Sequence, residues 1–181
     1  MGPHAAPEIS RMTTGLGAAG SGDKTPGQLT VSPATPGMET DVERVIHAAV
    51  RSVYPKYYPA EVVDYFLRLH SREHIAALIA SGAVKVLCCS DNVIGTGCCS
   101  EGHISAVYVH PDFQGRGFGT RLMDVLEREA LGTSSAAVLE ASLPAVMMYE
   151  RRGYRTTRHE KLVLSGGCVL IYEVMEKRLH A

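Results

Sequence analysis

The residues with the clearest chemistry form one run, Val107-Tyr-Val-His-Pro-Asp-Phe-Gln-Gly-Arg-Gly-Phe-Gly-Thr120. A strand-like segment ends there, glycines turn the chain, and an amphipathic helical pattern begins at once. At such a junction several backbone N–H groups have no acceptor and point outward from the positive end of the helix dipole. An anionic group docks on them, and glycine lets it come close to the backbone. The physical reading is a phosphate or pyrophosphate site. The run lacks the lysine of a nucleotide-triphosphate loop, and its glycines at 115, 117 and 119 miss the third position of a dinucleotide fingerprint.

Thiols are the second group to weigh. Cys88, Cys89, Cys98, Cys99 and Cys168 make an odd set. With no signal-peptide core in the sequence, this leads to the expectation of reduced thiols and a cytoplasmic location. A hairpin around Asp91-Asn92 would place Cys89 opposite Ile94 and leave Cys98 roughly 13 Å further along its strand. Sulfurs that far apart do not meet around one zinc, so no metal is expected.

The surrounding pattern shows what must hold the glycine turn. Residues 1–28 contain no aromatic side chain and read as a disordered tail, with the folded domain spanning 29–181. A strand is expected at 29–34, then a helix over 41–53 with Val42, Val45, Ile46 and Ala49 on one face. A second helix follows Pro59, with Val62, Val63, Phe66 and Leu69 on its apolar side, and a short helical piece covers 74–80. Strands at 84–89, 93–99 and 104–109 lead to the turn. The helix over 117–131 carries Leu122, Val125, Leu126 and Ala130 on one face. A strand at 136–141, a short helix at 145–152 and a hairpin of 154–164 with 168–177 complete the order β-α-α-β-β-β-α-β-α-β-β, a mixed α/β (α+β type) architecture.

Composition narrows the function classes. The 181 residues carry a formal net charge of -1, with no basic block of the kind that binds nucleic acid. No apolar stretch is long enough to cross a membrane. A chain 45% hydrophobic and 20% charged has the balance of an ordinary globular domain.

The segment Gln114-Gly115-Arg116-Gly117-Phe118-Gly119, preceded by Val109 and Pro111, resembles the acetyl-CoA-binding motif of the GNAT (GCN5-related) N-acetyltransferase superfamily, [Gln/Arg]-x-x-Gly-x-[Gly/Ala]. A second segment, Ala145-Val-Met-Met-Tyr-Glu-Arg-Arg-Gly-Tyr154, resembles the helix that follows the fifth strand of that fold. Both stand in the expected order. The resemblance implies a single GNAT acyl-CoA N-acyltransferase domain with a mixed central sheet, acetyl-CoA as co-substrate, and direct attack of a primary amine on the thioester in a ternary complex. The amine acceptor, small molecule or peptide, is left unnamed, and a homodimer is left open.

By the same resemblance, the amides of Gln114, Gly115, Arg116, Gly117, Phe118, Gly119 and Thr120 would bind the pyrophosphate. Backbone groups of Val107 and Val109 would pair with the thioester carbonyl and the pantetheine arm. Ser142 stands near where many relatives carry an asparagine that bonds that arm. Tyr149 matches the tyrosine that protonates the leaving thiolate, and a phenol of pKa near 10 suits a thiol near 8.5. For the base, His103 aligns by spacing and Glu101 lies close behind, while a proton path through water would need neither. Tyr54, Tyr57 and Tyr58 either line the acceptor pocket or pack on the sheet. The competing reading is a non-catalytic acyl-CoA-binding sensor.

Overall fold

The computed structural model describes residues 12–13 and 28–178. Their strands are β1 (Met12–Thr13), β2 (Leu29–Pro33), β3 (Val84–Cys89), β4 (Asn92–Ser100), β5 (His103–Val109), β6 (Ala136–Ser142), β7 (Arg155–Val163) and β8 (Val169–Arg178). The helices are α1 (Glu39–Val53), α2 (Ala60–Leu69), α3 (Arg72–Ala80), α4 (Phe118–Thr133) and α5 (Val146–Arg151). One sheet runs β2-β3-β4-β5-β6-β8-β7, with β1 added to β6. The expected order holds, and the piece anticipated at 74–80 is a full helix whose first turn is capped by Ser71, the side chain accepting from the His74 amide. The disorder expected for 1–28 falls outside the described residues except at Met12–Thr13 and Gln28, and 179–181 lie outside them too.

Two apolar layers flank the sheet. On one side Val42, Val45, Ile46, Ala49 and Val50 of α1 join Phe66 of α2 and Ile75 of α3 against β3, β4 and β5. On the other side Leu122, Met123, Leu126 and Ala130 of α4 meet Ile104, Leu139 and Met175. α4 comes so close to β4 that a Cβ built on Gly97 would lie 2.6 Å from the Leu126 side chain. A larger residue there would force the Leu126 side chain to move.

The β3–β4 hairpin differs from expectation. It turns at Ser90-Asp91, so Cys89 pairs with Asn92 rather than Ile94. Ser90 takes a left-handed φ of 53°, and the register shifts between Leu87 and Cys88. A bulge absorbs the residue that the turn does not use. No disulfide joins any of the five cysteines, and Cys98 lies opposite Val84 at the far end of the ladder. Among the described residues no group of three or more His, Cys, Asp or Glu is arranged to hold a metal ion, and no helix is long and apolar enough to cross a membrane.

One buried polar pair ties the helical layer to the sheet. His70, at the end of α2, is fully enclosed, and its Nε2 lies 2.9 Å from the Tyr108 hydroxyl. Burial, reinforced by the nearby His74 and His47, pushes the His70 imidazole down to about 3. The folded-state value lies below the unfolded value near 6.5, so below that pH the unfolded chain takes up a proton that the folded chain refuses. Stability therefore falls as pH drops from about 6.5 toward 3, by about 2 kcal/mol already at pH 5. Urea midpoints for the wild type and His70→Gln should converge over that window, and parallel pH curves would contradict the account.

Candidate active site

The site is built where the two parallel strands part. β5 and β6 share one register pair, His103 with Val138, joined by the Val138 amide donating to the Gly102 carbonyl at 2.9 Å. Beyond that point β6 pairs instead with β1, Met12 opposite Glu140 and Thr13 opposite Ala141. The split between β5 and β6 thus accepts an extended, amide-bearing segment.

β5 carries a bulge beside this split. Thr96 pairs with Tyr108 and Cys98 with Ser105, so Ala106 and Val107 together face Gly97. Ala106 takes a left-handed φ of 48° to fit. The extra residue rotates the strand, so Val107 faces the α4 layer and Tyr108 the α1 layer. Val107 and Val109 are both buried.

The glycine turn follows directly. Pro111–Phe113 forms one 3-10 turn, and the Gln114 side chain folds back, its Nε2 donating to the Val109 carbonyl at 2.8 Å. That bond fixes the loop to the end of β5. Gly115 and Gly117 then adopt φ values of 73° and 78°, and Gly117 caps α4 in the left-handed conformation. The first intrahelical bond runs from the Arg121 amide to the Gly117 carbonyl, so the amides of Phe118, Gly119 and Thr120 precede any helical acceptor. Thr120 is exposed and Gly119 is buried against the sheet. The Arg116 guanidinium lies 5.9 Å from the centre of the Phe113 ring, and Phe113 and Phe118 sit 6.4 Å apart. These contacts brace the loop from outside.

Past the split, β6 ends at Ser142, which is fully buried beside the Tyr54 phenol. The Leu143 amide donates to the Tyr58 hydroxyl at 2.7 Å. Tyr54 and Tyr58 are therefore core residues that fasten the α1–α2 connection to the end of β6, and Tyr57 alone of the three is exposed, at 53%. Burial pushes the Tyr58 phenol up to about 12, the Leu143 amide partly opposing it. Tyr149 of α5 is fully enclosed, its ring 5.6 Å from Tyr154. α5 is held on α4 by Arg152, which reaches Glu127 at 2.8 Å and Asp124 at 2.6 Å, while Lys177 reaches the other Glu127 oxygen at 2.8 Å. That triad explains how the Glu127 carboxylate can be buried.

The two base candidates sit at the opposite end of β5 from the glycine turn, a strand length of ~20 Å. Glu101 is exposed in the β4–β5 turn with a φ of 50°. His103 starts β5, its side chain only 13% exposed, with Nε2 3.3 Å from Glu140 of β6. Both line a cavity of about 310 Å³ shared with Ser134, Ser135 and Val138. The pairing with Glu140 is absent from the sequence reading; its one signal is a lone ionisable residue in the apolar run 136–142.

Similarity to known proteins agrees with this geometry. A family model described as an acetyltransferase (GNAT) domain matches residues 54–176. Among curated proteins none matches. A GCN5-related N-acetyltransferase from Rhodopseudomonas palustris superposes with a TM-score of 0.77 at 22% identity, covering 87% of this chain and all 100% of its own. A Salmonella typhimurium protein solved with its cofactor acetyl-CoA gives 0.64 at 18% identity, over 86% of this chain and 96% of its own. The PaiA N-acetyltransferase of Thermoplasma acidophilum, in complex with coenzyme A, gives 0.62 at 12% identity, over 84% and 99%. At these identities the solved structures establish the fold, and the family model, matching more than half of the sequence, establishes the rest: the chain belongs to the GNAT acetyltransferase family.

Proposed function

We propose that the chain transfers the acetyl group of acetyl-CoA to a primary amine of a small molecule or peptide, both substrates being bound together. The observation that carries the reading is the split between β5 and β6, with a bulge at Ala106 on one wall, the glycine turn at one end and Tyr149 beyond the other wall. A pantetheine arm is an extended chain with two amides, and β6 already accepts an extended backbone at Glu140 and Ala141. On this reading the arm takes the place of Met12–Thr13 along the split.

The amides at the start of α4 hold the pyrophosphate, and the main chain around Val107 and Val109 holds the thioester carbonyl as charge develops on its oxygen. The amine attacks the acetyl carbon and the C–S bond breaks; the amine nitrogen gives up a proton to His103, Glu101 or water, Tyr149 gives one to the sulfur, and exchange with water restores the side chains. Holding both reactants in one split supplies orientation that would otherwise have to be found by collision. Thiol release from acetyl-CoA should appear with at least one member of a panel comprising a polyamine, an amino sugar, lysine and a short peptide. Tight coenzyme A binding with no thiol release from any of them would favour the sensor reading.

A further inference from the structure

We propose that the chain carries its own competitor of acetyl-CoA: the main chain of Met12–Thr13 occupies the pantetheine slot of the β5–β6 split, and the cofactor displaces it to bind. The proposal rests on the cofactor placement above and adds to it a ligand that belongs to this chain.

Three observations carry it. β1 pairs with β6 in parallel, Met12 opposite Glu140 and Thr13 opposite Ala141, and it lies beside β5 as well. The slot is therefore one strand wide, and an extended segment in it leaves no room for a second. The direction also matches. Glu140 and Ala141 follow Val138, where β5 and β6 make their register contact, so β1 begins just past the root of the split. Being parallel to both strands, it points toward the end of β5 that leads into the glycine turn. A pantetheine arm whose pyrophosphate sits on the α4 amides runs along the same line. Finally, the covalent connection reaches. Gln28 lies at that same end of the sheet: its carbonyl accepts from the Ser90 amide in the β3–β4 turn, and β4 then pairs Gly95 with Val109 at the end of β5. Four strand spacings separate β2 from the slot, ~19 Å, and the 14 residues between Thr13 and Gln28 span roughly 50 Å when extended.

The competition needs no particular side chain. An extended peptide presents N–H donors and C=O acceptors in turn, and the two amides of a pantetheine arm offer the same groups to the same edge of β6. The covalent tether keeps the segment near the slot at every protein concentration. With the slot filled in part of the molecules, apparent cofactor affinity is lowered to the fraction that remains open. A cofactor that binds only the open form shifts the chain toward it, so cofactor concentration decides whether the segment is in or out.

The test uses the full chain and coenzyme A, with calorimetry for affinity and NMR for amide hydrogen exchange. Proline at both positions, Met12→Pro with Thr13→Pro, removes both amides, so whichever one bonds to β6 is lost. That variant should bind coenzyme A about 10-fold more tightly than the wild type, the result of a slot filled in about nine molecules of ten. Met12→Ala with Thr13→Ala keeps the amides and should stay at the wild-type affinity. In the wild type at least one of the Met12 and Thr13 amides should exchange slowly in the free chain and about 10-fold faster with saturating coenzyme A. Most ligands slow exchange where they bind, so this acceleration reports displacement. Equal affinity in the wild type and the proline variant, or exchange at Met12 and Thr13 that coenzyme A leaves unchanged, overturns the proposal while the cofactor site stands. A gain shared by the alanine variant overturns main-chain pairing as its cause. A gain that grows with protein concentration overturns the intramolecular contact and assigns the segment to a second copy. Failure of every chain to bind coenzyme A overturns the cofactor placement, and this proposal with it.

Discussion

Gly117→Glu should lower coenzyme A affinity at least about 100-fold while the chain still folds. Gly117 caps α4 with φ at 78°, and a Cβ placed there would meet no atom within 4 Å. The cost to the fold is therefore conformational only, about 1–2 kcal/mol for an L-residue held in the left-handed region. In a domain of this size that lowers the melting temperature by a few degrees. The cost to the ligand is larger. A carboxylate at the cap can settle on the amides of Phe118 to Thr120 and replace the anion they would otherwise hold. Two like charges about 4 Å apart near a protein surface repel by about 4 kcal/mol. Gly117→Asn provides the control, because asparagine tolerates the same conformation without adding charge. Calorimetry with coenzyme A on the three chains separates the effects. Wild-type affinity in the glutamate variant would remove the glycine turn from the site.

Much of this loop was legible because its chemistry is local. Glycines at 115 and 117 occupy backbone conformations that other residues resist, and Leu122, Leu126 and Ala130 recur at helix spacing because one face of α4 is buried. What escaped the sequence depends on neighbours far along the chain. The strand His103–Val109 is buried at every position after the first, so no alternation marks Ala106 as part of a bulge; the bulge exists because β4 offers one residue, Gly97, to two. Glu127 is a carboxylate buried on the face of α4 that also carries Met123 and Ala130, and Arg152 and Lys177 neutralise it there. Tyr54, Tyr57 and Tyr58 look equivalent in sequence, yet two are in the core and one faces solvent, a difference set by the docking of their loop on Ser142 and Leu143. His103 was visible by its spacing to the glycine turn, but its partner Glu140 sits on a strand that only the parallel pairing of β5 and β6 brings beside it.

Tyr149→Phe should cut turnover by something like 10²–10⁴-fold with little change in coenzyme A affinity. The phenyl ring keeps the packing that places it: the edge-on contact with Tyr154, and the α5 backbone held by Arg152 on Glu127 and Asp124. The variant loses only a buried hydroxyl, worth about 1 kcal/mol of stability, so a folded chain is expected. The kinetic loss is different in kind. Without an acid the sulfur must leave as a thiolate, and that charge develops only in the transition state. The effect should therefore appear in kcat and in kcat/KM together, not in KM alone. An acyl donor whose thiol is more acidic needs less help in leaving, so it should narrow the gap between Tyr149→Phe and wild type. Such narrowing would identify proton donation to sulfur, since a packing defect would slow both donors equally. Wild-type turnover in the phenylalanine variant, or an equal loss with both donors, would reduce Tyr149 to a residue that packs against Tyr154 and shapes the wall of the split.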